Sequence, residues 1–140
     1  MTTSELEKVT INLGLVDLGQ IDLLVQEGFY ANRTDFIRTA IRNQLAVHAE
    51  AVRQTVVRKE LVLGLQHYTR RDLEAVRATG EMLEIRVLGL ASIADDVSPE
   101  LALAAIDSVV VLGAFRANPD VKAALAGRIR SSLCARERRT

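Results

Sequence analysis

Three polar side chains at two-residue spacing, Lys8, Thr10 and Asn12, form the first group in this chain that could do chemistry. An ammonium only donates hydrogen bonds, whereas a hydroxyl and a carboxamide both donate and accept. Val9, Ile11 and Leu13 lie between them. Period two is that of a strand with one wet and one buried face. The polar face either recognises a hydrogen-bonding partner or is the solvated side of an ordinary edge strand. The other candidates are weaker. His48 and His67 flank no cysteine or closely spaced histidine, so no metal-ligand set is expected. Asp95, Asp96 and Glu100 precede a helix start, where the helix dipole accounts for acidic residues. No Ser-His-Asp set, phosphate-cradling glycine loop or CxxC is present. Neither an enzyme nor a cofactor is expected.

The elements that position Lys8, Thr10 and Asn12 follow at once. After Leu13 the period changes: Leu18, Ile21, Leu24 and Val25 recur at helical spacing, with Asp17 as expected N-cap and Gly28 as stop. Asn32 followed by Asp35 resembles a capping box. Phe36, Ile37, Ala40, Ile41 and Leu45 give a second helix its apolar stripe. One strand and two helices in about 40 residues cannot bury these faces alone, and a lone strand leaves its edges open. Two copies pairing their strands as an antiparallel ribbon over four helices would satisfy both needs.

KVTINL followed by EGFYANRTDFIRTAIRNQL resembles the MetJ/Arc/CopG superfamily of ribbon-helix-helix DNA-binding repressors, most of all its CopG-type members. The resemblance covers about residues 7–48. It implies a homodimer on double-stranded DNA, with Lys8, Thr10 and Asn12 reading bases in the major groove. Asn pairs bidentately with adenine, Thr reaches a thymine methyl or a polar edge, and Lys suits guanine or phosphate. It also implies phosphate contacts at the start of the second helix, from Asn32, Arg33 and Thr34. Val9, Ile11, Leu13, Phe36, Ile37 and Ile41 would form the dimer core. Gly14 stands where many relatives have proline. The closely spaced histidines and cysteine of the superfamily's nickel-responsive repressor are missing.

Charge runs against a DNA-binding reading. The chain holds 18 basic and 18 acidic residues and is formally neutral. Residues 1–48 carry Lys8, Arg33, Arg38 and Arg42 against Glu5, Glu7, Asp17, Asp22, Glu27 and Asp35, a net −2. Local placement and helix N-termini must then supply the phosphate contacts. The 49% hydrophobic content is enough for a core, although only 4% is aromatic. The single cysteine, Cys134, cannot form an internal disulfide, which fits a cytoplasmic setting. No signal peptide or membrane span is expected, since the longest charge-free run, Leu61 to Thr69, is far too short.

Nothing interrupts the second helix before Gly64, so it is expected to run to about Arg58. Beyond it Val-Leu-Gly occurs three times, at Val62-Leu63-Gly64, Val87-Leu88-Gly89 and Val111-Leu112-Gly113. Each tripeptide sits in a strand-like run. Each run precedes a helix start: Thr69 to Asp72, Ser98-Pro99-Glu100 and Asn118-Pro119-Asp120. The period suits a parallel βα repeat of leucine-rich-like shape with three rungs, although chance βα alternation without stacked rungs is the alternative.

The expected architecture is α+β. A ribbon-helix-helix unit spans residues 1–58, a three-rung βα repeat 59–130, and a basic tail 131–140. The repeat has open ends, which favour pairing with another copy into a tetramer or larger. From Arg128 onward five arginines face only Glu137, so the tail either touches phosphate or is a solvated end. The expected function is a homodimeric repressor. Two other classes stay open: an antitoxin whose C-terminal half binds a partner protein, and a structural protein whose ribbon only dimerises.

Overall fold

A computed structural model describes residues 6–130 of the chain. The expected tail at 131–140, with Cys134, lies outside them. The chain divides into two compact units, residues 1–55 and 56–140.

The first unit holds helix α1, Leu15–Gln26, and helix α2, Arg33–Val47. The N-cap of α1 is Gly14, three residues before the expected Asp17, which lies in the first turn instead. Gly14 provides no side-chain oxygen, so the acid interacts with the helix N-terminus from inside the turn. The C-terminus follows expectation. Gly28 adopts φ 85°, its N–H donates to Val25 O, and Phe29 N–H donates to Leu24 O. These paired bonds are those of a Schellman stop.

Helix α2 does not continue to Arg58. It ends at His48, φ −100° and ψ 10°, and helix α3 spans Ala49–Arg58. No Gly or Pro marks this break, and the sequence has no signal for it. Helix α3 ends in a second Schellman pattern: Glu60 N–H donates to Val57 O and Leu61 N–H to Val56 O. The left-handed position belongs to Glu60, φ 55°, where glycine would be usual. Arg86 donates from Nε and Nη2 to the Lys59 carbonyl at 3.0 and 2.7 Å, giving that helix end a cation.

The second unit continues with β1 (Val62–Tyr68), α4 (Arg70–Thr79), β2 (Leu83–Ile93), α5 (Pro99–Ala105), β3 (Ile106–Arg116), α6 (Pro119–Leu125) and β4 (Ile129–Arg130). All strands are parallel, in the order β1-β2-β3-β4. The expected helix starts hold in their hydrogen bonds. Thr69 and Asp72 make a full capping box. Ser98 Oγ accepts from Leu101 N–H, and Asn118 Oδ1 from Asp120 N–H. Helix α6 stops at Leu125 instead of near Arg130, and the short β4 follows. Arg128 belongs to this unit and not to a tail: its Nη1 donates to the carbonyls of Leu103 and Ile106. The core lies on one side of the sheet, where Ile85, Val87, Ala91, Ile93 and Val109 pack with Leu73, Leu101, Val121 and Leu125 of the helices.

The three tripeptides lie side by side. Val62, Leu63 and Gly64 pair with Val87, Leu88 and Gly89, which pair with Val111, Leu112 and Gly113. All three glycines have φ between 120° and 137°, a region essentially reserved for glycine. A Cβ on Gly89 would collide with the carbonyl oxygen of Gly64, and one on Gly113 with that of Gly89. At Gly64 only the dihedral stands against a side chain, for the space is open. Urea unfolding of the second unit should therefore rank three alanine variants. Gly64→Ala should lose about 1–3 kcal/mol from backbone strain, Gly89→Ala more than that, and Gly127→Ala, in open space with no strained dihedral, less than about 0.5 kcal/mol. Equal stability of the Gly89 and Gly127 variants would contradict this register.

Candidate nucleic-acid interface

Residues 6–14 form neither helix nor strand within one chain. Among the described residues no strand pairs with the expected one, and a strand is defined by the ladder it shares. Both faces of the run are open. Lys8, Thr10 and Asn12 are exposed, and so are Val9 (78%) and Ile11 (58%), with Leu13 also in the exposed class. Three interleaved apolar side chains facing solvent are a surface that one protomer leaves uncovered.

The rest of the first unit has the same shortage. Among its described residues the only buried hydrophobic side chain is Ile21 (7%). Leu18, Leu24 and Val25 are half-buried. On α2, Phe36 and Ile37 are half-buried and Ile41 is exposed. The Phe36 ring meets the edge of Tyr30 in its own chain, with centroids 5.0 Å apart and planes at 84°, a favourable aromatic geometry.

At the start of α2 the capping atoms are committed. Asn32 Oδ1 accepts from Asp35 N–H at 2.8 Å. The Asp35 carboxylate reaches one residue beyond the usual box and accepts from Ala31 N–H at 2.9 Å. The amides of Arg33 and Thr34 occupy the first two helical positions, where no intrahelical acceptor exists. The positive end of the helix dipole lies at these positions. The Arg33 guanidinium is engaged elsewhere: Nε and Nη2 grip both carboxylate oxygens of Asp22 on α1, at 2.7 and 2.8 Å. This bidentate pair fastens α1 to α2. It also offsets the cation that the phosphate contact would use, and spacing alone gave no sign of it.

The structure also brings together two side chains that sequence reading kept apart. His67 Nδ1 and Ser92 Oγ are 2.7 Å apart. They are 25 residues apart in sequence, the spacing of Gly64 and Gly89, so the repeat itself was the signal that places them in register. Among the described residues no group of three or more His, Cys, Asp or Glu could hold a metal, and no helix is long and apolar enough to cross a membrane.

A family model described as the Ribbon-Helix-Helix transcriptional regulator family matches residues 4–122. Neither the curated proteins nor the solved structures gave a significant match. The chain belongs to this family, and membership makes it a DNA-binding transcriptional regulator and implies dimerisation. The match extends well beyond the first third of the chain and takes in strands β1 to β3, so most of the described part of the second unit is included in what the family shares.

The hydrogen bond from Arg33, with its positive charge, holds the Asp22 carboxyl below the usual carboxylate range. A depressed value means the pair's contribution is present above the ordinary carboxylate pKa and is lost as pH falls through the lowered one. An NMR titration should find the Asp22 midpoint below about 3.9 and see it rise in Arg33→Ala. An unchanged midpoint in that variant would show that the pair does not form in solution.

Proposed function

We propose that this member of the ribbon-helix-helix transcriptional regulator family is a homodimeric repressor. Two copies pair residues 8–13 as an antiparallel ribbon and insert it into the major groove. The carrying observation is the strict alternation of Lys8, Thr10 and Asn12 with Val9, Ile11 and Leu13, all exposed in one chain. Pairing two such runs turns Val9, Ile11 and Leu13 inward. They form the dimer core with Phe36, Ile37 and Ile41, and Lys8, Thr10 and Asn12 face the bases. A two-stranded ribbon fits the width of the major groove.

Phosphate contact falls to the start of α2. The free amides of Arg33 and Thr34 provide it, the Asn32 side chain holds the turn, and Arg33 offers donors not used on Asp22. With Asp22 nearby, the contact depends more on backbone dipoles than on net charge. That arrangement suits a first unit whose formal charge is not basic.

The second unit drives assembly beyond the dimer. Its βα units form a short solenoid of stacked rungs, and strand β1 lies at an open sheet edge, which supports pairing with another molecule. The alternative is an antitoxin whose C-terminal half binds a partner protein. The core of Ile85, Val87, Ala91 and their neighbours, closed within one chain, favours the repressor over a segment that waits for a partner to fold.

Base readout is tested on the operator. Asn12→Ala and Thr10→Ala should each weaken binding by about 1–3 kcal/mol per base pair contacted, with affinity for random DNA nearly kept. Titrations on operator and scrambled duplexes at one salt concentration measure both. Equal losses on the two duplexes would mean that this face touches backbone only.

A further inference from the structure

The sheet of the second unit has its core on one face only. The opposite face presents Leu63 and Leu65 of β1, Leu88 and Leu90 of β2, and Leu112 and Ala114 of β3, in two adjacent rows set by the strand register. Alternation along the strands assigns them there, because Ile85, Val87, Ala91 and Ile93 point into the helix-covered core. Among the described residues nothing covers Leu63 (66% exposed) or Leu65 (55%). The next row toward the strand ends is polar: His67, Ser92 and Arg116 in register, with His67 hydrogen-bonded to Ser92. An apolar centre with a polar rim is the layout of a protein interface. Parallel sheets are ordinarily covered on both faces.

We infer that this leucine face is covered by the same face of a second copy, joining one dimer to another. The inference rests on the assembly reading and names its contact surface, the sheet face in place of the open edge. Like packs on like because a two-fold axis brings identical surfaces together. Area indicates how many contacts form. Three strands about 4.8 Å apart and two rows of side chains cover on the order of 200 Å². The polar row of His67, Ser92 and Arg116 adds about half as much again. A stable interface takes about 800 Å² from each partner. One face is too small to hold two chains together, but a dimer carries two. Closing two dimers into a tetramer engages both contacts at once, and the second forms at the high effective concentration set by the first.

The test uses the full chain with Leu63→Asp and Leu65→Asp combined, and a milder Leu63→Ser, Leu65→Ser pair in case the acidic variant misfolds. Both positions are more than half exposed, so the protomer should keep its fold, as circular dichroism will report. In sedimentation at micromolar concentration, wild type should run as a tetramer and the variants as dimers. Affinity for one operator should be unchanged, and the tighter binding to two phased operators should be lost. If the variants stay tetrameric, the leucine face is not the contact, although assembly through another surface stands. If wild type is already a simple dimer across that range, both the assembly reading and this inference fall.

Discussion

The first unit cannot bury its own apolar side chains, and the proposed dimer follows from that constraint. Ile21 is the only one buried there among the described residues, while Val9, Ile11, Leu15, Val16, Leu23, Ile41 and Leu45 remain exposed. Hydrophobic burial is the main favourable term in folding and association, about 25 cal/mol for each Å² removed from water. A helix pair that leaves so much of that term unused is marginal alone. Its internal ties are local: a Schellman stop at Gly28, the Asn32 cap, the ring contact of Tyr30 with Phe36, and the exposed Arg33–Asp22 pair. Such ties set the angle between helices without supplying a core. In the proposed dimer a second copy supplies it, and the same association orders the run that carries Lys8, Thr10 and Asn12. In this account recognition and folding of the first unit form one event.

The second unit stands on a different footing. Its core is made within one chain, and its backbone path is set by three glycines in register whose dihedrals exclude other residues. Where glycine was not available, arginine completes helix ends. Arg86 serves the carbonyl after α3, and Arg128 those at the end of α5. Two cations are thereby given to structure in a chain with no net positive charge.

Much of this was legible in the sequence where a signal is local and chemically specific. The three helix starts of the second unit were readable because Thr69, Ser98 and Asn118 each stand where a cap oxygen is needed, two of them before proline. The strand register was readable because three identical tripeptides recur at nearly constant spacing. The break at His48 was not, since no residue there forbids a helix. Glu60 in the left-handed region was hidden for the opposite reason, as glutamate does not announce that conformation. The Arg33–Asp22 pair joins positions 11 apart on two helices, so helix-surface spacing rules do not reach it. Asp17 has the residue type of a cap, but the helix begins three residues earlier than a cap there would start it. At the candidate site, sequence gave the alternation and the α2 cap, while the committed state of Arg33 required the fold.

The central claim is that the first unit folds only as it dimerises. Its most direct test is the concentration dependence of helical structure in the full-length chain, followed by circular dichroism with residue-resolved hydrogen exchange and matched sedimentation on dilution. The account predicts that amide protection in α1 and α2 falls in step with the dimer fraction, and that their melting temperature rises with protein concentration, while the β1–β3 sheet stays protected. A monomer, shown as such by sedimentation, that keeps α1 and α2 protected at every concentration would contradict it.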